Sequence, residues 1–134
     1  MFTVVACVPK ETNNPPTKPS NPHPEDGETG VPLNVTLSWS ASDPDGDSLK
    51  FDLYFGEESS PSRIESNLTT KSYEPLELDY NTKYYWKVVA KDPGGKTATS
   101  NIWSFTTKTA SLTNLDDLES DDELYIVTSI TDEN

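Results

Sequence analysis

The stretch Asp43-Pro44-Asp45-Gly46-Asp47 carries the densest potential chemistry in this sequence. Three carboxylates at alternate positions around a glycine are the oxygen donors a hard cation needs, and Ca²⁺ takes about six to eight oxygens. An EF-hand is excluded, because the twelfth position counted from Asp43 is Tyr54, where that loop requires a bidentate Glu. The same residues also make a plain turn: Pro presets φ, Gly supplies positive φ, and Asp bonds its own backbone. Turn-forming Asp is the commoner occurrence, and both readings stay open. A second set is Tyr54, Tyr80 and Tyr85. Planar aromatics stack on sugar rings, yet outward aromatics on neighbouring strands also serve simply as cross-strand pairs. Other reactive groups are sparse. A single Cys, Cys7, excludes an internal disulfide framework and a multi-cysteine zinc site. A single His, His23, argues against His-rich metal sites and hydrolytic triads. No set of convergent ionisable groups points to catalysis.

Charge and composition limit the partners. The chain has 134 residues, ten Lys and Arg against 23 Asp and Glu, and a net charge of −13. Nucleic-acid phosphates need Lys and Arg for neutralisation, so the acidic balance argues against a nucleic-acid partner. No apolar run approaches the roughly 20 residues of a membrane-spanning helix. Only 32% of residues are hydrophobic, which predicts that part of the chain does not pack. Seven of the eleven prolines fall within the first 32 residues, so residues 9–24 read as an extended, polyproline-like linker. Residues 108–134 carry eight acids against Lys108 alone and read as a solvated acidic tail. The organisation predicted is a linker over 1–17, a domain over 18–107 and a tail over 108–134, with both ends flexible.

The middle region has strong period-two patterning. Val35, Leu37, Trp39 and Ala41 alternate with polar residues, and so do Leu49, Phe51, Leu53 and Phe55. Tyr84, Trp86, Val88 and Ala90 form a third series, and Trp103 and Phe105 a fourth. Successive side chains of a strand leave opposite faces, so each series predicts a half-buried strand. A weaker strand is expected around Tyr73. Turns such as Asp92-Pro93-Gly94-Gly95 separate the strands. The fold class predicted is all-β, an antiparallel sandwich of about seven strands. Trp39, Trp86 and Trp103 are its structural residues, each on an inward phase.

The pattern resembles a fibronectin type III domain of the kind common in bacterial surface and secreted proteins. Val35-x-Leu37-x-Trp39 resembles the family's second strand, and Leu78-x-x-Asn81-Thr82-Lys83-Tyr84 the turn before its sixth. Trp103-Ser104-Phe105-Thr106-Thr107 resembles the closing strand of bacterial members. The resemblance implies that Tyr84 is the tyrosine corner, its hydroxyl bonded to upstream backbone. It implies that the loop before the third strand and the loop after the sixth share one end, so that Asp92 approaches Asp43, Asp45 and Asp47. Such modules often accompany glycan-degrading domains, which makes sugar stacking on the tyrosines worth weighing. No Arg-Gly-Asp motif is present to carry over an integrin role.

Val4-Val5-Ala6-Cys7 resembles a relaxed bacterial lipobox, with Cys7 as the lipidation site and the Pro-rich stretch as tether. It departs from that pattern, because only six residues precede Cys7 and none is Lys or Arg. An ordinary free Cys is the alternative. The function expected is a non-catalytic, extracytoplasmic spacer or presentation module at a cell surface or in the periplasm, possessing no cofactor unless calcium binds. Membrane contact would come only through Cys7. The alternative is a module binding a glycan or a protein. An unknown protein or polysaccharide is the expected partner, and the chain is expected to be a monomer.

Overall fold

The computed structural model describes residues 13–110. Nine β segments follow in order: β1 Ser20–His23, β2 Glu28–Val31, β3 Leu37–Ser40, β4 Lys50–Gly56, β5 Arg63–Leu68, β6 Ser72–Tyr73, β7 Lys83–Lys91, β8 Thr97–Thr99 and β9 Trp103–Thr107. They form two sheets, β1-β3-β6 and β2-β9-β7-β4-β5, with β8 also paired to β7. The nine segments amount to seven strands. β1 and β2 are successive parts of the first strand, which leaves one sheet and joins the other. β8 and β9 are parts of the last, pairing with the C-terminal and N-terminal halves of β7.

The predicted alternations are the buried faces. Leu37 and Trp39 from β3 meet Phe51 and Leu53 from β4, Trp86 and Val88 from β7, and Phe105 from β9 in one core. Trp39 lies 5.5 Å from Phe51 edge-on and 6.2 Å from Trp86, and Trp86 meets Trp103 edge-on at 4.8 Å. Aromatic pairs favour such offset and edge arrangements over face-to-face sandwiches. A second aromatic group, Phe55, Tyr84 and Phe105, fills the other end of the core, with Phe55 and Tyr84 stacked at 5.1 Å.

Three features add to these expectations. The sandwich is not wholly antiparallel, because β2 pairs parallel with β9. Both strands run the same way once the first strand has changed sheets. The described part of the proline-rich stretch is not only a linker. Pro16, Pro19 and Pro24 are buried, and β1 pairs with β3. Pro lacks an amide donor, so it fits an edge strand such as β1, where one backbone side needs no partner. The docked chain also starts before residue 18: Thr17 donates its amide to the Ser42 carbonyl at 2.8 Å, and its hydroxyl accepts from the Ser42 amide at 3.0 Å. Finally, β1, β2, β5 and β8 follow no alternation in the sequence. β5 is an edge strand in which no residue is fully buried and only Ile64 and Leu68 are apolar, so it shows no alternation.

Trp86 has no solvent exposure and touches aromatic rings from both sheets. Trp86→Ala is expected to cost about 3–5 kcal/mol, a large share of the ~5–15 kcal/mol stability of an ordinary domain. Tyr80→Ala, at a position 48% exposed, is expected to stay within about 0.5 kcal/mol of the parent. Urea unfolding followed by Trp fluorescence and far-UV circular dichroism measures both.

Candidate functional site

The residues singled out for metal chemistry lie at one end of the sandwich. Asp43 begins the turn between β3 and β4, and its Oδ1 accepts the amides of Asp45 at 2.7 Å and Asp47 at 3.4 Å. Gly46 closes the turn with its amide on the Asp43 carbonyl at 2.9 Å, at a φ of 76° that glycine adopts without strain. Asp92 follows β7 directly. Its Oδ1 accepts the Lys96 amide at 2.8 Å and its Oδ2 the side-chain amide of Asn13 at 2.9 Å. Burial pushes the Asp92 carboxyl up, but the Lys96 amide, the Asn13 side chain and the Gly94 and Gly95 amides outweigh it, leaving the pKa below its ordinary 3.8.

One carboxylate oxygen from each of Asp43, Asp47 and Asp92 lies within 4.8 Å of the other two. The structure thus brings together three of the four predicted ligands. Asp45 turns elsewhere: its Oδ2 accepts the Asn14 amide at 2.7 Å and its Oδ1 the Asn14 side chain at 3.1 Å. The three carboxylates also line an open cleft of about 910 Å³, whose other walls include Lys50, Lys71 and Lys91.

The tyrosines do not form one exposed platform. Tyr54 and Tyr85 are half-buried on the outward face of β4 and β7, diagonal neighbours in register. The Lys87 ammonium sits 4.7 Å from the Tyr54 ring centre and the Lys83 ammonium 5.3 Å from that of Tyr85. Each ring already has a cation against one face. Tyr80 is exposed on the turn before β7. His23 is exposed on β1, opposite Ser38. Cys7 lies outside the described residues, as does the acidic tail from residue 111 onward. Among the described residues no helix is long and apolar enough to cross a membrane.

Neither the family models nor the curated proteins gave a match to this sequence. Solved structures did. The fibronectin type III domain of human fibronectin type III domain containing protein 3 superposes with a TM-score of 0.53 at 25% identity, covering 79% of this chain and 98% of that one. The fold is that of a fibronectin type III domain. An α-L-rhamnosidase of Streptomyces avermitilis, solved with L-rhamnose, matches at a TM-score of 0.50 and 17% identity, over 70% of this chain and 10% of the enzyme. A Fn3-like protein from Clostridium thermocellum gives 0.46 at 20% identity, over 71% of this chain and 99% of that one.

Within this fibronectin type III fold, Tyr84 occupies the corner position and is 5% exposed. Its hydroxyl accepts the Asp79 amide at 2.9 Å, which ties the turn before β7 to the strand. Burial raises its pKa above 10.0. Thr107, at the end of β9, secures the same turn: its hydroxyl donates to the Asp79 carbonyl at 2.6 Å and accepts from the Thr82 amide at 2.9 Å.

Asp52 escaped sequence reasoning. It stands on the outward phase of β4 but is only 5% exposed. Lys91 of β7 lies 2.9 Å from its Oδ1, Arg63 of β5 lies 3.5 Å from its Oδ2, and the Asn67 amide donates to Oδ1 at 3.1 Å. One carboxylate thereby ties three adjacent strands of the fibronectin type III sheet. A charged residue at the centre of an apolar-polar alternation, with Lys91 at the end of the next strand, was the available signal. It could not be used without β5 in place.

Burial raises the Asp52 pKa, while the Lys91 hydrogen bond, the Asn67 amide and the charges of Lys91 and Arg63 lower it, with a net position below 3.8. A depressed carboxylate pKa stabilises the fold fully above the unfolded value, and that contribution is lost as pH falls through the folded one. Asp52→Asn is therefore expected to cost about 1–3 kcal/mol at neutral pH, less than a fully buried pair because Arg63 and Lys91 are partly solvated. The gap to the parent should narrow as pH drops below 3.8. Urea unfolding of both proteins across an acid pH series checks this; a gap independent of pH would show that the charge is not what matters.

Proposed function

We propose that this chain is a non-catalytic, extracytoplasmic spacer module that holds neighbouring segments apart at a fixed distance. One observation carries the reading: the chain joins the sandwich at one end and leaves it at the other. Asn13 bonds Asp92, the residue directly after β7, whereas the Lys108 carbonyl accepts the Asn81 amide, two residues before β7 begins. The nine residues of β7 therefore run between the two attachment points, a separation of about 26 Å at 3.3 Å per residue. A pull on both ends would load β7 and its neighbours along their length, and shearing paired strands breaks many hydrogen bonds together.

The carboxylates placed so far serve turns and ion pairs, which supports a non-catalytic role. The like-folded region of the Streptomyces enzyme forms a tenth of that chain. That supports reading this fold as a part used beside other parts. Cys7, with its lipobox-like run and the Pro-rich stretch after it, supports a lipid anchor on the N-terminal side, with the domain presented outside the cytoplasm. A second reading, binding of a polysaccharide or protein, draws support from the cleft of about 910 Å³ with its lysines and carboxylates.

Single-molecule pulling of the full chain through its two ends tests the spacer. The expected trace is one cooperative rupture releasing about 300 Å of contour length, from some 95 ordered residues at 3.3–3.6 Å each less the folded span. Stepwise release of short segments at low force would overturn it. A saturable change in Trp and Tyr fluorescence with soluble polysaccharides, including rhamnose-containing ones, would install the second reading instead.

A further inference from the structure

We propose that Asp43, Asp47 and Asp92 form a calcium site that locks together the two loops at the end of the sandwich where the N-terminal segment docks. Convergence of three carboxylates within 4.8 Å would not by itself establish a site. The decisive atom is Asp43 Oδ2. It is closed off from solvent and has no hydrogen-bond partner among the described residues, although Oδ1 of the same carboxylate accepts two amides. A carboxylate oxygen removed from water without a donor is costly, and carboxylates beside it raise that cost by repulsion. Among the described residues no donor reaches Oδ2, and a cation is the partner that would relieve it.

The chemistry selects the cation. The three ligands offer only oxygen, which suits Ca²⁺ or Mg²⁺ and not the softer metals that favour His and Cys. They come from two separate loops, and Ca²⁺ tolerates irregular geometry where Mg²⁺ demands a near-ideal octahedron. Asp92 already accepts from the Lys96, Asn13, Gly94 and Gly95 amides, so an ion would share its oxygens with those donors. The cleft lined by the same carboxylates gives access for the ion and for the waters that would complete its shell. Asp45 is not a ligand, since both its oxygens hold Asn14. Asp92 also holds Asn13, so an ion here would fix the turn after β3, the loop after β7 and the incoming chain at one point. The proposal does not rest on the spacer reading, and either can fail alone.

Affinity in the range of extracellular modules, about 10⁻⁴–10⁻³ M, is expected. At about 10 mM CaCl₂ that shifts the folding equilibrium of the full chain about 10- to 100-fold, a rise in Tm of roughly 5–15 °C reversed by EGTA. The expected signature is a crossover. Asp43→Asn keeps the turn acceptor and removes one repelling charge, so it should melt at or above the parent in EGTA and below the parent in CaCl₂. Asp47→Asn should likewise lose the calcium response. Amide NMR shifts in the parent should fall at Asp43, Asp47, Asp92 and Asn13. No rise in Tm up to about 10 mM, an equal rise with MgCl₂, an unchanged response in Asp43→Asn, or shifts confined to the acidic residues 116–133 would each overturn the site.

Discussion

Trp86 sits against Trp39 across the sheets and against Trp103 along its own sheet, and this three-indole contact fixes how the two layers face each other. Trp86 and Trp103 are register partners of β7 and β9. A slip of one residue in that pairing would turn every core side chain of one strand to solvent, so the indole pair sets register as well as adding buried area. The contact has a cost. The Trp39 and Trp86 indole nitrogens are buried and have no hydrogen-bond partner among the described residues, each worth about 1–3 kcal/mol of lost solvation. Both rings meet aromatic neighbours at steep angles, an arrangement that aromatic pairs favour.

Once β7 is in register, its ends are located, and the loops follow. Asp92 comes next after Lys91, and its carboxylate can reach the Asp43 turn because β4 and β7 are paired from Lys50↔Lys91 to Gly56↔Tyr85. At the other end, Tyr84 and Thr107 hold the turn before β7 by bonds to Asp79 and Thr82. The functional geometry at both ends therefore rests on a core contact that touches neither.

What the sequence disclosed depended on whether a strand had one dry face. β3, β7 and β9 bury every second residue, and β4 buries Phe51 and Leu53 on the same period with Asp52 buried between them, so the apolar alternation is plain in the order of residues. β1, β2, β5 and β8 contribute little to the core, so their residues carry no periodic signal and their pairing is set by backbone hydrogen bonds. The candidate site divides in the same way. The resemblance to a known family gave the approach of Asp92 to Asp43 and Asp47 through topology alone. The partnership of Asp45 with Asn14 depends on residues 13–17 lying over the turn, and a run of prolines and asparagines does not announce that. Asp52 was hidden for a related reason, since its partners Arg63 and Asn67 belong to β5.

The distribution of charge gives the outer sheet face a character opposite to that of the whole chain. The net charge is −13, yet the outward phase of β7 presents Lys83, Lys87 and Lys91, with Lys50 opposite Lys91. Two lysines in direct register repel. Asp52 answers this by lying 2.9 Å from Lys91, and the Lys91 ammonium also donates to the Asn67 side chain at 2.8 Å. Lys83 and Lys87 instead lay their cations over Tyr85 and Tyr54, covering ring surface that would otherwise be wet. Most acids of the described residues sit in turns and loops, whereas Lys50, Arg63, Lys83, Lys87 and Lys91 sit on strands, where long apolar stems cover the sheet. That arrangement lets an acidic chain build a β-sandwich without placing like charges opposite one another along most of its paired length.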